Sequence, residues 1–547
     1  MGPTQGGPVS EEGEGVGSGL AARLRDGRDH VATTLRAHFS FASLLLVLFL
    51  TFLDNTIASA VLTSVQSELH AGVTELQWVV GGYALAFASL MLMAGSLGDT
   101  FGRKRVMLIG VGIFCAGSIV CAVAPDTTTL IVGRVIMGVG AAGSEPSTLS
   151  MIRHIYPNRR ARARALGVWA AVSGLALALG PVIGGVLVGL WTWRAVFWFN
   201  LVFGAVAFVV SSVSLQESVN EERRTIDAAG FVLSSVALAL ATFATIRGET
   251  WGYRSSGVIT MYVIAGVSLA AYFVVEGRVR HPMLQVAWVK NRAFLGSTVI
   301  AFTSYFSVFS IFFFVALYLE IVASVSAYTL ALDFLPLLGG MVVASLVTGR
   351  WVSRVGSRTP LVLGCFLAAA GVLLTNVVLS PTVGLDPLGY TMGLAGIGFG
   401  IVVVPINQTA LTAIPATHSG IAASTINTSR ELGAVTGVAI LGSLVNGQLT
   451  VDLTQRLVQL GIPSAYRQLV INAVITGSVN SQAAAQEKVS SGAVKKLIAE
   501  VVRAAYGAFS HGLDLALTAA GILMLVSAVI ADWTGSSDHR PLVEVDP

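Results

Sequence analysis

Hydrophobic positions along this chain neither alternate nor mark one stripe of a helix; they run together. Uninterrupted apolar stretches recur from Phe39 almost to the end. Each is about 20 residues long, enough to cross the hydrocarbon core of a bilayer as a helix. A membrane barrel would instead show short alternating segments. The pattern predicts spans near 40–62, 75–97, 105–124, 128–150, 164–188, 196–214, 228–246, 257–276, 294–318, 327–349, 359–379, 386–407, 420–446 and 508–531. Fourteen spans put both termini on one side.

The polar positions between spans decide which side. Short loops on the face shared with the termini hold seventeen Lys and Arg, among them Arg103, Lys104, Arg153, Arg162, Arg278 and Arg358. The other face has only Arg194, Arg247 and Arg254 in short loops. Positive charge stays inside, so both termini are expected in the cytoplasm of a bacterial-type inner membrane. The long loop 447–507 is then outside. In it Val494, Leu497, Ile498, Val501 and Val502 keep helical spacing, as a cap on the outer mouth, a partner's dock or a helix resting on the membrane.

Composition agrees. The 547 residues are 54% hydrophobic and 11% charged, whereas soluble domains carry about 25% charged residues. The 59 glycines suit close helix packing in lipid. The net charge of +4 sits in loops, so topology explains it and no nucleic-acid partner is expected. Cys115, Cys121 and Cys365 lie in apolar runs without metal-ligand spacing and read as packing residues. Residues 1–38 form a Gly/Glu-rich tail with Arg23, Arg25, Arg28 and Arg36; it either rests on the anionic leaflet or is disordered. The run after it is too long for a cleaved signal peptide.

A loop recurs. Gly95-Ser-Leu-Gly-Asp99-Thr-Phe-Gly102-Arg103-Lys104 follows span 2, and Gly349-Arg-Trp-Val-Ser353-Arg-Val-Gly356-Ser-Arg358 follows span 10. Two copies eight spans apart imply a duplicated six-span unit. The expected division is a cytoplasmic tail 1–38, an N-terminal bundle 39–214, a linker 215–293 with two inserted spans, a C-terminal bundle 294–531 and a tail 532–547.

The first copy resembles the signature loop of the major facilitator superfamily. Leu130-Ile-Val-Gly-Arg134-Val-Ile-Met-Gly138 in span 4 resembles the motif of its proton-coupled members. Gly174-Leu-Ala-Leu-Ala-Leu-Gly180-Pro181-Val-Ile-Gly184-Gly185 in span 5 resembles the antiporter motif. Leu53-Asp54-Asn-Thr56-Ile57 in span 1, Gln77-Trp78 and Trp193-Arg194 are similar to motifs of fourteen-span drug:proton antiporters. The resemblance covers about 40–446. There are departures: Met137 and Glu431 stand where Gln is usual, Thr63 and Val202 where Pro is usual, and Ser353 where the first copy has Asp99.

The resemblance implies an all-α membrane protein with the major facilitator fold, two six-helix bundles plus two extra transmembrane helices. It implies proton-coupled export of small amphipathic molecules by a monomer that needs no cofactor or metal. Gly95, Asp99, Gly102 and Arg103 would form a conformational latch, with Ser353 a weaker counterpart. Gly174, Gly180, Pro181, Gly184 and Gly185 would seal one half against leak. Ionisable residues inside spans are costly and functional by default, so Asp54, Arg134, Asp333 and Glu431 are candidates for proton coupling. Glu145, before Pro146 near the cytoplasmic end of span 4, is a candidate for a direct role of unassigned kind. Asp54 and Arg134 fall at similar depth and are expected to pair or share a cavity. Phe302, Phe306, Phe309 and Phe313 lie on one helical face of span 9; with Asn407, Gln408, Asn427 and Arg430 they are the candidate substrate contacts. No nucleotide-binding loop of the GxxxxGK[ST] type and no hydrolase signature occurs, which argues against an ATP-driven pump or an enzyme. Export of an endogenous metabolite or lipid, proton-coupled uptake on the same fold, and a non-transporting scaffold remain as alternatives.

Overall fold

The computed structural model describes residues 36–71, 73–218, 227–279, 282, 284–321, 327–379, 385–460, 462–464, 467 and 492–535. Arg23, Arg25, Arg28, Arg223, Arg224 and Arg280, and the side chains of Glu320, Val494, Leu497, Ile498 and Val502, lie outside the described residues.

Among the described residues, fourteen helices are long and apolar enough to cross a membrane. They are span 1 Arg36–Ile57, span 2 Trp78–Phe101, span 3 Arg103–Ala122, span 4 Thr127–Ile155, span 5 Arg159–Leu190, span 6 Arg194–Ser214 and span 7 Ala228–Gly248. Span 8 is Ser256–Glu276, span 9 Arg292–Leu319, span 10 Leu332–Val355, span 11 Arg358–Val378, span 12 Pro387–Ala413, span 13 Ala416–Gln459 and span 14 Arg503–Thr534. Polar side chains start several of them by accepting a backbone N–H that no helical carbonyl reaches. Asp126 caps span 4 through Thr129 N at 2.8 Å, Asn158 caps span 5 through Arg160 N at 2.8 Å, and Asp227 caps span 7 through Gly230 N at 2.8 Å.

Span 1 tightens into a 3-10 turn at Ala58–Val61 before a short helix, Leu62–Leu69. The expected loop 447–507 is corrected at both ends. The helix of span 13 runs on to Gln459, because Pro463 is the first proline after Gly447, and the helix of span 14 already begins at Gly492. The amphipathic stretch from Val494 is thus the first turns of that helix rather than a separate one.

Spans 1–6 and 9–14 form two six-helix sets, joined by glycine crossings that repeat. Span 2 crosses span 13 where a Cβ on Gly95 would lie 2.5 Å from the carbonyl oxygen of Gly420. Span 10 crosses span 5 where a Cβ on Gly349 would lie 2.7 Å from the carbonyl oxygen of Ala163. Both copies of the repeated loop therefore do the same packing task. Both also turn through a glycine with positive φ, Gly102 at 109° and Gly356 at 85°, where a side chain would be strained.

Spans 7 and 8 pack on each other, and span 7 also lies against spans 2 and 13. The Phe243 ring sits 5.4 Å from that of Trp78, and the Arg247 guanidinium stacks over Trp78 at 4.8 Å and Trp251 at 5.3 Å. Val213, Val263, Val267, Val377 and Val529 are exposed on the outside of the bundle, as a lipid-facing surface requires. Cys121 and Cys365 are buried, Cys115 is half-buried, and none forms a disulfide.

Candidate functional site

The face on which span 1 begins and span 14 ends, here the terminal face, is closed by four polar links between the two helix sets. Asp99, at the end of span 2, receives the backbone N–H groups of Gly420 (2.9 Å) and Ile421 (3.0 Å). Those are unsatisfied donors of the first turn of span 13, where the helix dipole also favours a carboxylate. Arg103 donates to Asp99 at 2.7 Å and to the carbonyls of Ala416 and Thr417 at 3.2 and 3.3 Å. Arg153 donates to the carbonyls of Leu411 and Ile414, and Arg162 to Gln408 Oε1 at 3.2 Å. Among the described residues Ser353 makes no such link: it is half-buried and bonds to the Arg350 carbonyl of its own turn, at 2.6 Å.

Glu217 and Ser218, just past span 6, extend this latch. Glu217 accepts the N–H groups of Lys104 (3.1 Å) and Arg105 (3.2 Å), capping span 3, and Ser218 accepts from Arg103 at 2.9 Å. Arg153 and Arg162 count in the sequence only as topology charges, and Glu217 and Ser218 lie in a linker. Hydropathy marks none of the four.

On the opposite face a cavity of about 440 Å³ opens between the sets. Its lining runs from Glu431 and Arg134 past Phe309, Val435 and Val438 to Leu62 and Leu76, near the far ends of spans 1 and 2. Ile246 of span 7 belongs to it as well. Most of the wall is apolar, and the ionisable groups cluster at one end.

Arg134 and Asp54 form a buried ion pair of 2.7 Å, each less than 2% exposed. Arg134 Nε also donates to the Val79 carbonyl at 2.9 Å, and the guanidinium lies 4.5 Å over the Tyr83 ring. The second carboxylate oxygen of Asp54 accepts from Asn200 Nδ2 at 2.7 Å. Asn200 was not among the sequence candidates; asking which polar residue of a neighbouring span could satisfy Asp54 is the signal that finds it.

Arg430 forms a second cluster, nearer the closed face. It donates to Asn427 Oδ1 at 3.0 Å and Asn407 Oδ1 at 2.9 Å, between the rings of Trp169 and Tyr305 at 5.4 and 5.3 Å. Asn407, Gln408, Asn427 and Arg430 are buried and do not line the open cavity. Asp333 is also buried and makes no hydrogen bond or ion pair with either cluster among the described residues.

The phenylalanine stripe divides. Phe309 lines the cavity. Phe302 and Phe306 carry the backbone crossing with span 13, where Cβ atoms on Gly433 and Gly437 would come within 2.2 and 2.5 Å of their carbonyl oxygens. Phe313 is 49% exposed and outside the lining. One helical face thus meets three environments as its neighbours change along the span.

The glycines of span 5 divide too. A Cβ on Gly180 would lie 1.9 Å from Thr56 Oγ1, and one on Gly184 2.7 Å from Ala60 Cβ, so both permit the crossing with span 1. Gly174 has ordinary clearance, and nothing lies within 4 Å of Gly185. Pro181 lacks an N–H for the Leu177 carbonyl four residues back. Thr56 Oγ1 donates to that carbonyl at 3.1 Å, so the bend is satisfied from span 1.

At the rim of the far face Glu68 pairs with Arg194 and accepts from Trp193 Nε1 at 2.7 Å. The Arg194 hydrogen bond, against some desolvation and helped by Trp193, holds the Glu68 carboxyl below its usual range. A depressed carboxylate contributes above its unfolded value and is lost as pH falls through the folded one, so this clasp persists at neutral pH and opens only in acid.

A sequence model described as Major Facilitator Superfamily matches residues 44–438. The chain is 31% identical over 436 residues to the multidrug resistance protein Stp of Mycobacterium tuberculosis, covering 80% of this chain and 81% of that one. It is 29% identical over 488 residues to the tetracenomycin C resistance and export protein of Streptomyces glaucescens, covering 89% of each. The solved structure of the human organic anion transporter MFSD10 superposes with a TM-score of 0.58 at 14% identity, covering 91% of this chain and 99% of that one. At that identity the likeness is one of fold.

Proposed function

Since the chain belongs to the major facilitator superfamily and has the fourteen spans of its drug:proton antiporter branch, we propose that it exports small amphipathic organic molecules by alternating access in exchange for protons. The observation that carries this reading is the cavity. It has a long apolar wall for a hydrophobic body, and Glu431 and Arg134 at one end for charge. It opens on one face while Asp99, Arg103, Arg153 and Arg162 tie the other shut. With the termini inside, as the Lys and Arg distribution has it, this is the outward-open state. Substrate leaves from here, and a proton enters by the same route.

The test is transport by the purified chain in proteoliposomes, with a panel of lipophilic cations, neutral antibiotics and lipids. An imposed pH difference should drive accumulation of some of them, and a protonophore should collapse it. Transport indifferent to the pH difference would refute proton coupling.

Span 7 gives the cavity a wall outside the two six-helix sets, and this predicts a specificity effect. Ile246→Trp should narrow the cavity between spans 2 and 13. Export of bulky substrates should fall about tenfold or more, the range that a mis-sized apolar contact commands, while small substrates are spared. Efflux rates for a size series decide it; a uniform loss across the series would assign Ile246 to packing alone.

A further inference from the structure

We propose that Glu145 is a second proton-binding carboxylate of the transport cycle, sharing the single charge of Arg430 with Glu431 across the interface between the two six-helix sets. The proposal rests on the antiport reading above and extends it to a residue which that reading does not use.

Glu145 belongs to span 4 of the first set, and Arg430 and Glu431 to span 13 of the second. Glu145 is 2% exposed and its Oε2 has no hydrogen-bond partner among the described residues. Spans 4 and 13 pack on each other, which brings Glu145 within electrostatic range of both Arg430 and Glu431. Glu145 stands ten residues above the end of its helix at Ile155, and Glu431 twelve above the start at Ser419. At about 1.5 Å per residue the two are at similar depth from the closed face. Only Glu431 lines the open cavity.

Arg430 is held for this task. Its two terminal nitrogens are engaged by the Asn427 and Asn407 carbonyls, and its faces by Trp169 and Tyr305, while Nε has no acceptor among the described residues. An arginine only donates and stays charged, so it supplies one fixed positive charge. Among the described residues the phenols of Tyr83 on span 2 and Tyr305 on span 9 also lie within electrostatic range of Glu145. Asp54 and Arg134 balance each other higher in the molecule. One positive charge compensates one carboxylate, and a second ionised carboxylate in a dry interior would be uncompensated. The pair Glu145 and Glu431 therefore holds one proton between them.

The cycle follows. In the state seen here a proton from the far side reaches Glu431 through the cavity. No Glu431 oxygen is within hydrogen-bond reach of Glu145 Oε2, so the transfer runs through one cavity water. The Glu431 O–H bond breaks as the water gains that proton, the water gives one of its own protons to Glu145 Oε2, and the negative charge moves from Glu145 to Glu431. When the latch opens, Glu145 gives the proton to the medium on the terminal face, and a cationic or polar substrate can then take the neighbouring site.

The experiment uses the full chain in proteoliposomes with tetraphenylphosphonium as the probe cation, comparing the unmodified protein with Glu145→Gln and Glu145→Asp. Glu145→Gln should lose pH-driven accumulation roughly a hundredfold, the scale on which removal of a proton-transfer group is felt. It should keep probe exchange across the membrane without a pH difference, and Glu145→Asp should recover part of the driven transport. Driven accumulation by Glu145→Gln at the unmodified rate overturns the proposal. So does joint loss of exchange and driven transport in both variants, which marks a packing role. An unmodified chain indifferent to the pH difference would sink the antiport reading and this one together, and is recognised by appearing before any substitution.

Discussion

Asp54→Asn should cut accumulation against a gradient at least tenfold while the protein still folds and exchanges substrate. The structure says why the fold survives. Asparagine at 54 keeps an acceptor for Arg134, and Asn200, whose Oδ1 has no partner among the described residues, can turn its amide to accept from the new side chain. Removing one partner of a buried ion pair costs about 3–5 kcal/mol in a closed interior. Here the loss is softened, because Arg134 retains the Val79 carbonyl and the Tyr83 ring and borders an open cavity. What asparagine cannot do is gain and lose a proton. Driven uptake into inverted vesicles should fall at least tenfold, about 1.4 kcal/mol or more, with substrate exchange retained as the control for folding. Continued concentration of substrate by Asp54→Asn under an imposed pH difference would show that Asp54 is not an obligatory proton carrier.

The second large effect is at the latch. Asp99→Asn replaces a charged acceptor of two backbone N–H groups and one arginine by an amide whose NH₂ must face one of those donors. Hydrogen bonds to a charged group are each worth about 1.5–3 kcal/mol, so the closed terminal face should lose roughly ten- to a hundredfold in population. A cysteine at Ser424, packed against Gly95 in the crossing, should then become reactive to a thiol reagent from that face, while transport falls and substrate affinity changes little. Ser353→Ala removes only an exposed bond within one turn and should stay within about 0.5 kcal/mol of the parent. Equal losses from the two substitutions would contradict the asymmetry of the structure.

Much of this was legible before any coordinates. Spans declare themselves because lipid demands long apolar helices, Asp54 and Arg134 stand out because charge inside a membrane is expensive, and Asp99 stands out through the repeated loop. That Asp54 and Arg134 lie at similar depth, able to pair or to share a cavity, followed from counting residues along two antiparallel helices. The rest depends on which faces meet. Phe302 and Phe313 share a helical face, yet one backs a glycine crossing and the other is exposed. Asn407 and Asn427 look like pocket residues in sequence, but their carbonyls hold Arg430 instead. Thr56 repairs the carbonyl that Pro181 strands, and Ile246 reaches the cavity from an inserted hairpin. No pattern within a single span announces such contacts between spans.

The two pseudo-equivalent crossings differ in one atom set: Asp99 caps span 13, and Ser353 caps nothing on span 5. With the termini inside, as we propose from the Lys and Arg distribution, a protein latched on that side would rest with its cavity facing the exterior. The consequence is pharmacological. A blocker shaped to the pocket between Phe309, Ile246 and Glu431 would meet the idle protein from outside the cell, without first crossing the membrane or escaping export itself.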